Sequence, residues 1–339
     1  MRMSAEVVGH RVAASDIPVA TAGELEAAIG ASTPLVIRGL VDHWPALAAG
    51  KTSPSALTRY LLSMDVGTPC TVMEAPASSS GRFGYTADLS EFTFSKSQRG
   101  IEEALSRIMQ QGDRPGAPIV AIQQLPLGAH MPEFVRQNPL NILPHYEPRL
   151  WIGGRVKTQI HNDRDHNLAC VIAGRRRFVL FPPEQVANLY IGPIERPPPL
   201  SVVDCDAPDF ERFPRFKAAL RAAAQAELGP GDSIFVPRHW WHHVTSCDSF
   251  NAMVNCWWGN QYQGLQDPYN TFLLALLAVK DLPGPERDYW RAVFDHYVFN
   301  SDRDAVAHIP KALQGALGTM SGDVRAVLER RLKSTVVNG

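Results

Sequence analysis

Two short stretches carry side chains suited to metal chemistry. The first is Thr158-Gln159-Ile160-His161-Asn162-Asp163, and the second is Pro237-Arg238-His239-Trp240-Trp241-His242-His243-Val244. Two imidazoles and one carboxylate can occupy one face of an octahedral ion, leaving three positions for other ligands, as non-haem Fe(II) oxygen chemistry requires. His161 and Asp163 are two residues apart, so in a strand their side chains point to one face. His242 can join them only through folding. An HxD pair by itself also fits a local hydrogen-bonded pair or a helix cap. The aromatic residues of the second stretch fit core packing, and His239 and His243 compete with His242 as ligands. Asp165 and His166 offer a further carboxylate and imidazole, with mixed strand parity relative to His161 and Asp163.

The elements around these residues must bring distant stretches together. From Leu150 onward the sequence is a series of short β-rich runs: Leu150–Ile152, Asn167–Ile172, Arg177–Phe181, Ser233–Val236, His243–Ser246 and Asn251–Trp257. Several short strands with turn punctuation predict a barrel or sandwich. The interval 182–227 is too long for a hairpin; it contains Pro197–Leu200 and a predicted helix over Phe216–Glu227, and it reads as an excursion at one mouth of the barrel. Upstream, the pattern is mixed. Helices are expected at Thr21–Ile29, Ser55–Met64 and Ile101–Gln110, and strands at Pro34–Gly39, Cys70–Glu74 and Pro118–Gln123. After Trp258 helical spacing takes over at Thr271–Val279, Asp288–Tyr297, Ala305–Leu317 and Val324–Leu332. The expected division is a β-rich domain over 1–264, including its mixed N-terminal region, and a helical tail over 265–339. The apolar faces of that tail must be buried somewhere, and a second subunit is preferred over the core domain.

Composition narrows the class without naming a substrate. The chain of 339 residues has a formal net charge of -1, which supplies no bulk attraction for nucleic acid or an anionic membrane. Arg175, Arg176 and Arg177 are the obvious local basic patch. The N-terminus lacks the apolar run of a secretory signal, and no stretch approaches 18 uninterrupted apolar residues. The five cysteines are scattered and without CxxC spacing, which fits a reducing, cytoplasmic setting. Cys170 and Cys256 lie in strand-like runs and read as small buried residues.

Residues 150–258 resemble the JmjC-type, cupin-like 2-oxoglutarate oxygenases, and especially the asparaginyl hydroxylase that modifies hypoxia-inducible factor. The resemblance is carried by LWIGG, TQIHNDRDHN, IAGRRRFVLFPPEQ, DFERFP, LGPGDSIFVPRHWWHHV and VNCWW, with weaker echoes in PLVIRGLVDHWP, GRFGYTADLSEF and IQQLP. It implies an all-β jelly-roll core (double-stranded β-helix) with helical additions and a C-terminal dimerising end. It also implies Fe(II), 2-oxoglutarate and O₂ as reaction components, with release of succinate and CO₂. The family pattern closes the metal set with His242 rather than His243, which then faces the other side of its strand, and leaves His239 in the preceding loop. By the same resemblance Arg176 takes the basic position facing the far carboxylate of 2-oxoglutarate, where lysine is commoner, and Thr158 supplies a hydroxyl to that carboxylate. Asn167 and Asn255 match polar positions near the metal, and Trp257 matches an aromatic wall. Each of these three also fits sheet hydrogen bonding or core packing. Tyr85 and Gln123 fall in segments that resemble a peptide-binding side. One departure stands out: the hydroxylase has a tyrosine where this chain has Ala121. A protein or peptide substrate is expected. Lysyl demethylation, a small-molecule or modified-RNA substrate, and a noncatalytic metal-binding cupin remain open.

Overall fold

The computed structural model describes residues 17–18, 21–86, 88–112, 114, 116–143, 145–195, 198–259, 262, 264–299 and 305–338. The chain divides into two compact units, Met1–Asn260 and Gln261–Gly339. Within the first, helix α1 (Leu25–Ala31) leads to strand β1 (Leu35–Ile37), followed by α2 (Pro45–Thr52) and α3 (Pro54–Leu62). Next come β2 (Cys70–Ala75), β3 (Arg82–Phe83), β4 (Ser95–Arg99), α4 (Ile101–Gln111) and β5 (Ile119–Pro126). The short helices α5 (Leu127–His130) and α6 (Pro132–Gln137) precede β6 (Glu147–Gly153), β7 (Lys157–Asn162), β8 (His166–Ala173) and β9 (Arg176–Phe181). Helix α7 (Phe216–Ala222), then β10 (Ala224–Leu228), β11 (Ser233–Val236), β12 (Trp241–Ser246) and β13 (Asn251–Trp258) complete the unit.

The strands form two sheets, one of eight in the order β1-β11-β8-β13-β6-β5-β2-β4 and one of five in the order β10-β9-β12-β7-β3. One inner cluster joins them: Trp151, Ala169, Val171, Ile234 and Met253 from the larger sheet meet Phe178, Leu180, Leu228 and Val244 from the smaller. The outer face of the larger sheet is covered by helices. Leu168, Cys170, Ile172, Val254 and Cys256 pack there with Leu57 and Leu61 of α3 and Leu105 and Ile108 of α4. Those helical residues recur at the i, i+3, i+4 spacing that gives a helix one apolar face. At the start of α3, the Ser53 hydroxyl accepts the Ala56 N–H at 3.0 Å and Pro54 sits in the first turn, so the helix begins where its amide groups can be satisfied. Strand β8 is buried along its whole length because both of its faces are covered.

Two expectations require correction. The helix expected through Glu227 stops at Ala222, and Ala224–Leu228 instead pairs antiparallel with β9 in register Ala224↔Leu180 to Leu228↔Arg176. Tertiary pairing, with Leu228 buried between the sheets, overrides the helix preference of an alanine-rich run. In the second unit, Ala305–Leu317 does not form a continuous helix; its regular parts are two single turns at Lys311–Leu313 and Gly315–Leu317, with Gly315 at φ +51°. That unit otherwise contains α8 (Pro268–Ala278), α9 (Gly284–Phe294) and α10 (Gly322–Asn338). Asp267 caps α8 by accepting the Tyr269 N–H at 3.0 Å. Among the described residues, no helix is long and apolar enough to cross a membrane.

Close helix–sheet approach has a sharp local requirement at Gly50. A Cβ built there would lie 2.0 Å from the Ile172 carbonyl oxygen, whereas one at Gly30 of α1 would meet nothing within 4 Å. Gly50→Ala is therefore expected to cost about 2 kcal/mol or more, and Gly30→Ala to be neutral or stabilising by up to about 1 kcal/mol. Urea unfolding of the two variants checks this; equal effects would contradict the packing.

Candidate metal centre and co-substrate pocket

The metal-binding geometry begins with strand pairing. β7 and β12 run antiparallel with His161 directly opposite His242, and their ring centroids lie 4.3 Å apart. The register then shifts, because Val244 faces Thr158 rather than Gln159. Two residues of β7, Gln159 and Ile160, thus oppose the single His243, which is a β-bulge. The bulge has a direct consequence for side-chain direction. In a regular strand Thr158 and His161 would point to opposite faces; here both line the interior, while Ile160 packs outside against Phe181 and Phe216.

Asp163 follows β7 and completes the group. The available ligand atoms of His161, Asp163 and His242 all lie within 4.8 Å of one another. An Asp163 carboxylate oxygen is 4.0 Å from His161 Nε2, and the other is 3.7 Å from His242 Nε2. Each imidazole is oriented by its own backbone neighbourhood. His161 Nδ1 is 2.8 Å from the Gln159 carbonyl oxygen, and His242 Nδ1 is 3.1 Å from the Trp240 carbonyl oxygen. A carbonyl can only accept, so Nδ1 carries the proton in both rings and the Nε2 lone pairs point at Asp163. Burial, reinforced by the nearby His161 ring and opposed by Asp163, pulls the His242 pKa down to about 4. The neutral ring that ligates a metal is consequently the favoured form near pH 7. His243 lies on the opposite side of β12, where Nε2 is 3.1 Å from the Thr245 hydroxyl and 3.7 Å from Asp206. His239 sits in the turn before β12, at φ +69°.

The loop carrying Asp163 is fastened to that turn. The His239 N–H donates to the Asp163 carbonyl at 2.9 Å. Three residues beyond Asp163, His166 faces Arg238: the Arg238 backbone N–H is 3.2 Å from Nδ1 and its Nε is 3.1 Å from Nε2. The Arg238 guanidinium also donates to the Gly259 carbonyl at 3.0 Å, tying β13 into the same cluster. A neutral imidazole has one N–H, so it accepts from only one of these donors, and a second ring proton would face a donor on each side. Burial, then the charges of Arg238 and His239, lower the His166 pKa to about 4.

Beside the metal residues lies a narrow inner cavity of about 20 Å³, lined by Trp151, Thr158, Asn167, Phe178, Met253 and Asn255 together with the three metal residues. Asn167 and Asn255 are 2% and 3% exposed, and their side-chain oxygens have no hydrogen-bond partner. Arg176 enters between the sheets from β9, two residues from Phe178 and on the same face. It is 6% exposed; its Nη2 donates to the Trp151 carbonyl at 3.3 Å, and its Nε has no partner. Among the described residues no carboxylate pairs with it. Burial lowers its pKa to about 10, so it stays charged at neutral pH. A buried cation without a counter-ion is costly unless something anionic joins it.

An outer cleft of about 440 Å³ shares Trp151, Thr158 and His161 with the inner cavity. Gln123 lines it with Gln124, at a second register shift, between Ile122 and Leu125 of β5. Phe83, Phe92, Phe94 and Lys96 form another part of its wall. Tyr85 does not line this cleft. Its ring stacks on Phe92 at 5.4 Å, and its hydroxyl accepts the Leu200 N–H at 3.1 Å, bracing the loop that contributes Pro198 and Leu200 to the cleft. Trp257 is on β13 with the Arg149 guanidinium 5.0 Å from its ring centre, and it is not among the residues lining the inner cavity. Ala121 packs with Met73, Phe83 and Val156 in a small apolar cluster. Sequence reasoning passed over Trp151, Lys96 and the Arg238–His166 contact. The only prior signal for Trp151 was its place in LWIGG.

Two sheets enclosing two imidazoles and one carboxylate define a metal-dependent cupin. A family model described as a cupin-like domain matches residues 21–264, and the chain belongs to that family. Its relatives include human HSPB1-associated protein 1, 42% identical over 115 residues, or 33% of this chain and 23% of the relative. Arabidopsis thaliana lysine-specific demethylase JMJ31 is 36% identical over 108 residues, 32% of this chain and 20% of the relative. Gallus gallus tRNA wybutosine-synthesizing protein 5 is 31% identical over 145 residues, 38% of this chain and 43% of the relative. The matched segments thus span less than half of these relatives. Family and triad place the chain in the JmjC-type cupin superfamily of 2-oxoglutarate oxygenases, and His161, Asp163 and His242 match the two-histidine, one-carboxylate Fe(II) site of those enzymes. The donor set fits the ion: two outward Nε2 lone pairs and a carboxylate converge, with each histidine's second nitrogen already satisfied.

The His166 arrangement gives a pH dependence with a defined sign. Its folded pKa lies below the ordinary 6.5, so from pH 6.5 down to about 4 the unfolded chain binds a proton that the folded protein refuses. The contribution to stability is complete above 6.5 and is lost as pH falls through that window. Replacing His166→Gln is expected to reduce the stability difference between pH 7 and pH 5 by on the order of 1 kcal/mol after allowance for solvent screening. Urea midpoints at the two pH values provide the readout, and an unchanged difference would contradict the assignment.

Proposed function

We propose that the protein is an Fe(II)- and 2-oxoglutarate-dependent oxygenase that hydroxylates a side chain of a protein or peptide, with the two sheets serving as a jelly-roll core. The observation that carries this reading is the convergence of His161, Asp163 and His242 in an interior that also holds a buried arginine with no carboxylate partner among the described residues. Fe(II) and 2-oxoglutarate, when bound, supply an oxidant from O₂ while the co-substrate loses CO₂ and becomes succinate. The protein's part is positioning. His161, Asp163 and His242 hold the ion on one face and leave the side toward the inner cavity available. Arg176 and the Thr158 hydroxyl receive the far carboxylate of the co-substrate, and a guanidinium matches a carboxylate with two parallel donors. Asn167 and Asn255 orient groups near the metal, and Trp257 closes the aromatic end of β13. The inner cavity holds about one water as it stands, so co-substrate entry requires adjustment of a flexible lining residue such as Met253. No acid–base side chain is needed for the oxidation itself.

The cleft leading to the metal supports an extended substrate. It is far larger than the inner cavity and runs past Gln123, whose carboxamide suits a peptide backbone, while Tyr85 supports the Pro198–Leu200 wall. Hydroxylation of asparagine, aspartate or histidine and lysyl demethylation are both compatible with the sequence resemblance. The tail is assigned to dimerisation with a second copy of the chain: Phe272, Leu274 and Leu277 of α8 are 46%, 46% and 85% exposed, an unusual concentration of bare apolar surface.

Anaerobic loading with Fe(II) and 2-oxoglutarate, followed by O₂ and a peptide library, is expected to yield succinate and an added oxygen in a peptide. Turnover only with RNA or a metabolite would move the substrate assignment, and no succinate with any substrate would overturn the reaction. Arg176→Ala should raise the KM for 2-oxoglutarate by tens of fold, the loss of about 2 kcal/mol of charged hydrogen bonding, with Fe(II) affinity retained. Equal losses of both would contradict its role. Sedimentation of Leu277→Arg is expected to give monomers where the parent chain gives dimers; two monomers, or two dimers, would refute the tail assignment.

A further inference from the structure

The inner cavity contains a donor that nothing so far employs. Trp151 is 7% exposed, and its indole Nε1 is buried without a hydrogen-bond partner. An indole N–H can only donate, so it cannot be satisfied by another donor nearby. Buried indoles usually find an acceptor, and one that has none inside a ligand cavity calls for an acceptor brought by the ligand.

Its surroundings specify the acceptor's charge. Trp151 lies on β6 with its ring between the sheets, opposite Met253 in the β6–β13 register, and lines both the inner cavity and the outer cleft. The Arg176 guanidinium is held against the same residue, 3.3 Å from the Trp151 carbonyl oxygen. Arg176 Nε is also without a partner. Two buried unsatisfied donors, one of them cationic, therefore belong to the same stretch of the interior. The unpartnered groups of Asn167 and Asn255 are oxygens, which would repel an anion. Ala121, on the neighbouring strand β5, contributes only a methyl to an apolar cluster. Trp257 also has an unpartnered indole nitrogen, but it does not line the inner cavity.

We infer that the Trp151 indole N–H is a binding donor for the carboxylate of 2-oxoglutarate remote from the metal, acting with Arg176 and Thr158. The inference rests on the co-substrate reading above and adds a residue to it. An indole donor is neutral and rigid. It fixes where the carboxylate sits without adding a second buried charge, whereas Arg176 supplies the compensating charge.

The test compares 2-oxoglutarate with 2-oxobutyrate, which keeps the metal-chelating 2-oxo acid and carries hydrogen in place of the far carboxylate. Calorimetric titration of anaerobic Fe(II)-loaded protein is expected to show Trp151→Phe binding 2-oxoglutarate roughly tenfold more weakly, with 2-oxobutyrate affinity unchanged. Phenylalanine keeps an aromatic ring in the site. In parent protein loaded with redox-inactive Zn(II), the indole N–H resonance that Trp151→Phe lacks should move downfield with 2-oxoglutarate and stay in place with 2-oxobutyrate. Undiminished binding of 2-oxoglutarate by the variant, equal weakening of both ligands, or an unmoved resonance would each overturn the inference while leaving the oxygenase reading intact. A parent protein that binds neither 2-oxo acid would overturn both.

Discussion

The site depends on the pairing of β7 with β12 and on the bulge within it. Antiparallel register sets His161 against His242, so two ligands 81 positions apart in sequence become immediate neighbours across a ladder. The bulge at Gln159 and Ile160 then brings Thr158 onto the face that already holds His161. One extra residue in a strand thus decides whether the metal residues and the hydroxyl share a cavity. Ile160 serves the opposite face, where it is fully buried against the α7 layer. Packing outside the sheet and ligand placement inside it are consequently fixed by the same local irregularity.

Around that pair the fold supplies rigidity on one side and unsatisfied polarity on the other. Backbone carbonyls of Gln159 and Trp240 set the tautomers of the two histidines, and the Arg238–His166 contact fastens the Asp163 loop to the β11–β12 turn. The two carbonyl contacts are local in sequence, whereas the Arg238–His166 contact spans 72 residues. The inner cavity is different. Trp151 Nε1 and the oxygens of Asn167 and Asn255, which line it, are buried without partners, as is Nε of Arg176, whose guanidinium contacts the Trp151 carbonyl. Such groups are expensive to leave unmatched, and their concentration near a metal-ligand set is the physical signature of a site built for a polar ligand; the two donors, one of them cationic, call for its anionic end, and the two amide oxygens do not.

Much of this arrangement was legible from residue order. The short β-rich runs from Leu150 onward correspond to strands, and the two-residue spacing of His161 and Asp163 anticipated their common orientation. Strand β10 was hidden because Ala224–Leu228 continues an alanine-rich helical pattern, and only its pairing with β9 reveals it. The bulge was hidden for a related reason: no residue type announces it, and strict alternation would place Thr158 on the wrong face. Trp151 was obscured by its chemistry, since a tryptophan in an apolar strand reads as core until its nitrogen is found without a partner. The two sheets share one inner cluster, whereas the expectation of a jelly-roll came from resemblance to a family and not from strand periodicity.

The central claim is that His161, Asp163 and His242 form a single metal site and that His243 stands outside it. Anaerobic Fe(II) titration of the parent protein, His242→Ala and His243→Ala tests this most directly, with circular dichroism recording that each remains folded. The account predicts one tightly bound Fe(II) per parent chain, retention of that ion in His243→Ala, and its loss in His242→Ala. A folded His242→Ala protein that keeps the ion, or a folded His243→Ala protein that loses it, would contradict the account.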